Sequence, residues 1–496
     1  MSSRTTHSDS ISHGPQDCQK CKTRRIKCDR ALPACAKCTK RHYECPGYDN
    51  KLRWANAIAI RGRFKGMQFP SADDEQPTPG PEMDMHQEPS QGSGYLMDDS
   101  SYTADRNLAP SFPSDATVAQ LLDHYDKNIA GLMVWLDSEH NAYRRLVLPL
   151  AHRQPGLMLS ILAISAKHIS ASGEMDSGFS KSACDAAVLT ITESVQQVTS
   201  RLAEGYDFST ERDMETAEWM LASMLTLSGY EMMGSNSMNW ETHRQAARTL
   251  VNVLGTADRC DNELYTFLRN QLSILDVLAC TTNFDLGVTD GVILPETARG
   301  DVIFGEFLKT IHSVTSKSRE RLQEKHHEVD SSLAGNITSK ELCSSFEMAR
   351  GSTLMAAGSL LFDDTSRKRD FIRMVEIYHH AGLLYSYRSL HLSDSDPSAV
   401  HYSSKRLFEI LDDFENGLAW VQNFPWPVFV LGTESHGDIP KQTFVRAVYR
   451  MIIQNMGSGH FEAVLEFLEE FWAGQDSEWS TRAREWELRG IRILAV

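Results

Sequence analysis

Apolar residues recur at helical spacing through most of the chain from residue 116 onward. Segments 116–137, 369–390, 448–456 and 461–472 carry amphipathic stripes, whereas 157–169 is apolar on nearly all sides. Few glycines interrupt these segments, and the alternation typical of strands is scarce. The pattern therefore predicts a large, mostly α fold without an internal repeat.

The first 115 residues lack this periodicity and divide by composition into four segments. Residues 1–17 form a polar arm that is expected to be disordered, and residues 18–45 contain six of the ten cysteines. Residues 46–69 are a basic linker. Residues 70–115 are rich in proline, serine and acidic residues, which predicts a disordered linker that suits either an activation segment or a plain spacer. The all-helical domain is predicted to occupy 116–496.

The six N-terminal cysteines follow one spacing, Cys-x2-Cys-x6-Cys, written twice. They are Cys18, Cys21, Cys28, Cys35, Cys38 and Cys45. Zinc prefers four sulfur or nitrogen ligands in a tetrahedron, so two ions need eight ligand bonds, which six cysteines supply if two of them bridge. A segment this short cannot bury enough apolar surface to fold by itself. Metal binding would supply the folding free energy, on the order of 10–16 kcal/mol.

Two other interpretations of these cysteines are less consistent with the sequence. A disulfide framework needs an oxidising compartment, and the N-terminus shows no apolar segment typical of a secretory signal. A mononuclear zinc ribbon built from the two Cys-x2-Cys pairs would leave Cys28 and Cys45 without a metal. The spacing therefore favours a binuclear site.

Charge is distributed unevenly along the chain. The net charge is −16, but residues 1–69 carry +10 and the remainder carries −26. Residues 18–45 have nine Lys and Arg against two acidic residues, and with six thiolates and two Zn²⁺ they still carry about +5. A small basic head is attracted to a polyanion, which indicates a nucleic acid as partner.

The cysteine spacing, with Pro33 two residues before the fourth cysteine, resembles the fungal zinc binuclear cluster, the Zn2Cys6 DNA-binding module. The resemblance implies two zinc ions per chain, bridged by Cys18 and Cys35. It also implies that Arg24 and Arg25, four and three residues before the third cysteine, read a CGG-type triplet. The family usually has lysine at the second of these positions; arginine keeps the charge, and its fork suits guanine.

Each Cys-x2-Cys pair is predicted to open a short helix, the first over 22–27 and the second over 39–44. The first helix would present its cations to the major groove, where guanine offers the acceptors O6 and N7. We expect Arg25 to be the chief base reader and Arg24 the second. Six of the seven other cations of the module are candidates for phosphate contacts, which position a protein without reading sequence. These candidates are Lys20, Lys22, Lys27, Lys37, Lys40 and Arg41.

Several short motifs of the helical region also resemble a known domain. They are Leu-Leu-Asp-His-Tyr at 121–125, Met-Val-Trp-Leu at 133–136, Tyr-Arg-Arg at 143–145 before Leu-Pro-Leu at 148–150, Gly234 with Trp240 and His243, and Phe-Pro-Trp-Pro at 424–427. In this order they are similar to the all-helical fungal-specific transcription factor regulatory domain. The resemblance implies a multi-helix domain that receives signals and controls activity.

The sequence thus predicts a nuclear, sequence-specific DNA-binding regulator of RNA polymerase II transcription, and not an enzyme. Its expected partners are double-stranded DNA and the transcription machinery, with no membrane, because no run of 18 apolar residues occurs. One triplet offers few base contacts, and no sustained coiled-coil pattern follows the cluster. A homodimer through the helical domain is one way to supply the missing contacts.

The alternative function is an enzyme that carries a zinc module and has an unrecognised catalytic site in the helical domain. The sequence contains no HExxH, GxSxG or P-loop motif that would support it.

Overall fold

The computed structural model describes most of the helical region and the centre of the cysteine segment. The described residues are 18–24, 26–31, 34–41, 43, 45, 114–171, 177–206, 210–234, 239–254, 262–296, 303–327, 337–359, 362, 364–392, 396–475 and 478–496. The chain divides into two units, Met1–Ser100 and Ser101–Val496, and each is described by itself. The predicted polar arm, the basic linker and nearly all of the acidic linker lie outside the described residues, so their boundaries stay predictions.

Helices make up the regular structure of both units, which confirms the mostly α fold class; the described ranges contain no β-strand. The first unit has α1 (Gln19–Thr23) and α2 (Ala36–Thr39). The second unit has α3 (Asp115–His124), α4 (Leu148–Ala151), α5 (Pro155–Ser170), α6 (Ser177–Ala203), α7 (Glu211–Met232), α8 (Asn239–Leu254), α9 (Glu263–Cys280), α10 (Leu286–Asp290), α11 (Gly305–His327), α12 (Ser339–Ala356), α13 (Thr365–Leu390), α14 (Pro397–Asp412), α15 (Pro425–Thr433), α16 (Ile439–Met456), α17 (His460–Ala473) and α18 (Trp479–Leu488).

Four of the five predicted helical segments lie inside helices of the structure. Segment 157–169 lies in α5, 369–390 in α13, 448–456 in α16 and 461–472 in α17. Ten of the 16 residues of α5 are buried, as expected for a segment that is apolar on nearly all sides. The apolar spacing predicted these four segments correctly because burial of their apolar faces is what stabilises these helices.

The fifth predicted helix, 116–137, is too long. The α-helix passes into a π-helical turn at Tyr125–Ile129, and the chain then turns away. Gly131 lies in this turn, where an added Cβ would stand 2.7 Å from the carboxylate of Asp137. Asp137 in turn accepts a 3.0 Å hydrogen bond from Nη2 of Arg144. This ion pair closes the turn, and hydrophobic spacing carries no information about it.

Two large hydrophobic clusters form most of the core of the second unit. One is centred on α5, α7 and α9, and the other on α11, α13, α15 and α17. Within the first, α5 packs against α6 and α7; within the second, α13 packs against α11, α12 and α14. Trp426 is 1% exposed, and its indole N–H donates a 3.1 Å hydrogen bond to Oγ1 of Thr281, which links α15 to the end of α9.

A charged cluster is buried between α8, α9 and the segment after α10. Asp276 is fully buried and accepts hydrogen bonds from Arg244 and from Nη2 of Arg248, the latter at 2.8 Å. Its second oxygen accepts from the backbone N–H of Ile293 at 2.8 Å. Arg244, 1% exposed, also pairs with Glu241 at 2.6 Å. A buried charge is costly unless it is paired, so both guanidinium groups depend on this carboxylate.

No single helix of the described residues has the length and the hydropathy needed to cross a bilayer. One pair, Tyr143–Ala151 with Pro155–Ser170, reaches both values only when its members are joined, and a bend of 119° separates them.

Candidate metal centre and nucleic-acid interface

The structure brings the six N-terminal cysteines together in two overlapping groups of four. One group is Cys18, Cys21, Cys28 and Cys35, and the other is Cys18, Cys35, Cys38 and Cys45. The sulfur atoms of each group lie within 4.8 Å of one another. Cys18 and Cys35 belong to both groups, which is the arrangement that two metal ions with shared sulfur ligands require.

The sulfur separations fit tetrahedral zinc. The Sγ atom of Cys18 lies 3.7 Å from that of Cys35 and 3.8 Å from that of Cys38, and Cys21 lies 3.7 Å from Cys35. Four sulfur atoms at about 2.3 Å from one zinc ion are separated by about 3.8 Å. Five of the cysteines are buried. Apart from cysteines, Ile26 is the only hydrophobic side chain among the described residues that packs against this cluster. The sulfur cluster therefore takes the place of a hydrophobic core.

Each of the two short helices starts at the first cysteine of a Cys-x2-Cys pair. Cys18 and Cys35 are the N-cap residues, and Sγ of Cys35 accepts a 3.3 Å hydrogen bond from the backbone N–H of Cys38. Negative charge is favoured at a helix N-terminus, so this position suits a metal-bound thiolate. Each helix begins at the first cysteine of its pair because a helical turn there directs both sulfur atoms of that Cys-x2-Cys pair toward one ion.

The predicted helices over 22–27 and 39–44 are wrong in their bounds. α1 ends at Thr23. The backbone N–H of Ile26 still donates a 3.1 Å hydrogen bond to the carbonyl of Cys21, but residues 26–30 are not helical. The chain must leave the helix early because Cys28 has to return to the same sulfur cluster as Cys18. Among the described cations, Lys22 is therefore helical, whereas Lys27 lies beyond the helix.

Asp29 connects the two repeats and was not identified from the sequence. Its carboxylate accepts a 2.9 Å hydrogen bond from the backbone N–H of Ala36 and a longer one, 3.4 Å, from that of Lys37. Burial alone would raise the pKa of Asp29, but these N–H donors and the charge of Lys37 hold it below its usual value. The sequence feature that could have identified Asp29 is an acidic residue directly after the third cysteine.

Burial of the sulfur atoms favours the thiol over the thiolate. It raises the pKa of Cys18 to about 12, against the opposing effect of the backbone N–H of Cys21, and it also raises the pKa of Cys35. Zinc binds the thiolate, so binding releases protons. The affinity for zinc is therefore expected to fall as the pH falls.

The described cations of the module differ in exposure. The predicted phosphate contacts Lys20, Lys22, Lys27, Lys37, Lys40 and Arg41 are all exposed. Arg24 is partly buried: its guanidinium lies over the ring of Tyr43, 4.9 Å from the centroid, and its Nη1 is buried without a hydrogen-bond partner among the described residues. The Nζ atom of Lys20 lies 5.1 Å from the same centroid. Arg25 lies outside the described residues.

Tyr43 is a second residue that the sequence analysis missed. It is 45% exposed and stands beside two of the predicted DNA contacts. A cation held over an aromatic face loses conformational freedom before it meets DNA. The signal in the sequence was an aromatic residue two positions before the last cysteine.

Comparison with known families covers both units. Residues 120–487 match the fungal specific transcription factor domain, and residues 16–55 match the fungal Zn(2)-Cys(6) binuclear cluster domain. The first match spans nearly three quarters of the 496 residues. The chain therefore belongs to the fungal transcription factors that carry this domain. Its cysteine segment is a DNA-binding module that takes two zinc ions through six cysteines.

Two relatives each match a short part of the chain. The acriflavine sensitivity control protein acr-2 of Neurospora crassa is 50% identical over 38 residues, and the arginine metabolism regulation protein II of Saccharomyces cerevisiae is 47% identical over 41. Each match covers 8% of this chain, and only 6% and 5% of the two relatives. No solved structure matches the chain significantly.

These comparisons confirm the predicted family, the fold class and the zinc cofactor. Membership in a family of transcription factors indicates a regulator rather than an enzyme. The roles of the individual ligands and DNA contacts stay predictions.

Proposed function

We propose that this protein is a nuclear, sequence-specific regulator of RNA polymerase II transcription that reads a CGG-type triplet in the major groove. The observation that carries the proposal is the sulfur cluster in which Cys18 and Cys35 belong to both groups of four. In this proposal all six cysteines are zinc ligands and these two bridge the ions. The names of both relatives, which refer to control and regulation, support it.

Base reading is assigned to the end of α1 and the residues that follow it. Arg25 is the chief base reader, because arginine can donate two hydrogen bonds to O6 and N7 of guanine. Arg24 is the second, and its contact with the exposed ring of Tyr43 supports a preset orientation. The unpartnered Nη1 of Arg24 is a donor for which DNA would supply an acceptor.

Most of the remaining exposed cations of the module are assigned to phosphate contacts. Those assigned here are Lys20, Lys22, Lys27, Lys40 and Arg41, five of the seven such cations. Such contacts contribute affinity that depends on salt but not on sequence. A triplet alone is a short site, so we assign the additional selectivity to a second copy that is joined through the helical domain. Sedimentation of the full chain with and without a duplex that holds two triplets tests this dimer.

Nuclear import is assigned to the basic linker, residues 46–69, with Arg61, Arg63 and Lys65 as its centre. A fluorescent fusion of the full chain should concentrate in the nucleus, and neutralising these three residues should reduce that concentration.

Arg25→Ala is expected to relax the triplet preference by roughly 1–3 kcal/mol, because the base-edge hydrogen bonds are lost while most phosphate contacts remain. The measurement is competition binding of a CGG duplex against duplexes with each base changed in turn. An equal loss of affinity on every sequence would instead place Arg25 on a phosphate.

Arg41→Ala is the matched control for Arg25→Ala. It removes an exposed cation of the same type from the same module. It should weaken binding to all duplexes alike and lower the slope of log affinity against log salt by about one. A change in triplet preference in this variant would contradict its assignment.

Tyr43→Leu is expected to weaken binding to the triplet duplex several-fold, because each exposed cation–π contact contributes about 0.5–1 kcal/mol. Tyr43→Phe keeps the ring and should bind as the unchanged protein does. If Tyr43→Leu retains full affinity and zinc content, the ring does not orient Arg24 or Lys20.

Selection of bound sites from random DNA, done in parallel, reports triplet identity and spacing.

A further inference from the structure

A cavity of about 190 Å³ lies where the two hydrophobic clusters of the helical unit meet. Its walls come from parts of the chain that are far apart in sequence, from Ile129 and Ile164 to Leu275 and His460. Protein interiors are close-packed, and voids larger than a water molecule are few in a domain. A partly open, mostly apolar cavity of this size at the boundary between two cores is therefore a candidate site for a small ligand.

The wall of the cavity is adaptable as well as apolar. Four methionines line it, Met133, Met232, Met233 and Met456. Methionine has three rotatable bonds and a polarizable sulfur atom, so it fits irregular shapes and is frequent at surfaces that accept varied ligands. Packing alone would be served better by branched side chains, which fill space with fewer conformers.

The two π-helical turns in the described part of this unit contribute to the same wall. Ile129 is the last residue of the turn Tyr125–Ile129, and Tyr143 is the first residue of the turn Tyr143–Val147. π-Helical turns are rare and are frequently found at functional sites. Here they place the side chains of Ile129 and Tyr143, both from the N-terminal part of the unit, in the wall of the cavity.

Two side chains of the wall offer unused hydrogen-bonding groups. Tyr143 is 2% exposed, and its hydroxyl makes no hydrogen bond to any described residue. The side-chain amide of Gln271 likewise has no partner among the described residues. Both groups line the cavity, so a ligand that bonds to either one would gain the free energy of that hydrogen bond.

We propose that this cavity binds a small, mostly apolar molecule that carries one hydroxyl or carbonyl group, with Tyr143 as its hydrogen-bonding partner. A cavity of roughly 150 Å³ holds benzene, so 190 Å³ accepts a substituted single ring or a compact aliphatic of similar size. Because the cavity touches both clusters, a bound molecule contacts both halves of the helical unit. The role of this molecule as an effector of transcription rests on the proposed function, whereas its binding to the cavity does not.

The test uses the full chain with two probes of equal shape, p-cresol and toluene, which differ in one hydroxyl. Methionine methyl groups labelled with ¹³C report binding, because four of them line the cavity, whereas the exposed Met348 and Met355 do not. Both probes should shift the methyl signals of the lining methionines and raise the melting temperature. p-Cresol should bind more tightly, and the shifts of Met348 and Met355 should stay small.

Tyr143→Phe should weaken p-cresol roughly 2- to 12-fold and leave toluene unchanged, since it removes one hydrogen bond and little volume. Leu132→Trp adds a ring at the wall and should abolish binding of both probes, whereas Leu189→Trp, at an exposed position, should not. If Leu132→Trp does not fold, Tyr143→Phe alone still decides the hydrogen bond.

The absence of any shift with both probes in the unchanged protein would overturn the proposal, as would undiminished binding to Leu132→Trp. Binding of a triplet duplex is measured on the same samples. A chain that binds p-cresol but no DNA contradicts the proposed function alone, and a chain that binds DNA but neither probe contradicts the cavity alone.

Discussion

Cys35→Ser is expected to abolish binding to the triplet duplex and to remove most of the zinc from the protein. Cys35 belongs to both groups of four sulfur atoms, caps α2, and is fully buried. Metal binding supplies on the order of 10–16 kcal/mol to the folding of structural zinc sites. Since the sulfur cluster is the core of the module, its loss should unfold the DNA-binding surface. Elemental analysis and duplex binding measure the two effects.

Two further variants separate the metal from the thiol. Cys184→Ser removes a buried cysteine of the helical unit and should keep two zinc ions per chain and full DNA affinity. Cys21→Ser removes a ligand of only one group and should lose less zinc than Cys35→Ser. Two tightly held ions in Cys35→Ser, with unchanged DNA affinity, would exclude a shared role for this sulfur.

Asp276→Asn is expected to lower the stability of the helical unit by about 3–5 kcal/mol, the cost of leaving buried charges without their partner. Arg244 and Arg248 both donate to this carboxylate, and so does the backbone N–H of Ile293. Far-UV circular dichroism during urea unfolding of the full chain measures the loss. The described part of the zinc module adds two short helices to the signal, so the signal mainly reports the helical unit.

Asp185→Asn is the matched control. Asp185 pairs with Lys181 one helical turn away, and both side chains are exposed, so its replacement should leave the unfolding midpoint nearly unchanged. An equally small effect of Asp276→Asn would mean that the buried arginines find other partners. DNA binding by the folded fraction of either variant should be retained, because neither residue lies in the zinc module.

Acid should weaken the same buried cluster. Burial would raise the pKa of Glu241, but the hydrogen bonds and the charge of Arg244 hold it below its usual value. A carboxyl whose pKa is lower in the folded state stabilises the protein above its unfolded pKa, about 4.3, and this contribution is lost as the pH falls through the folded value. Glu241→Gln should therefore reduce the loss of stability below pH 4.

Much of the helical unit could be predicted from the sequence, but its interior could not. The segment that became α5 is apolar all round, so burial was evident from its composition. The end of the helix after Ile129 depends on Asp137 and Arg144, and the partner of Arg244 is Asp276, 32 residues away. The Arg244–Asp276 pair forms only when packing brings α8 and α9 together, and the Asp137–Arg144 pair forms only when the chain turns back after Ile129. Hydrophobic spacing reports neither pair.

The sequence by itself determined the family, the two zinc ions and the mostly α fold, because ligand spacing and helical periodicity are local properties of the chain. Only the tertiary structure decided where α1 ends, that Asp29 joins the two repeats, that Arg24 rests on Tyr43, and that a methionine-lined cavity lies between two cores. These features depend on distances between side chains and backbone groups that only the folded backbone sets.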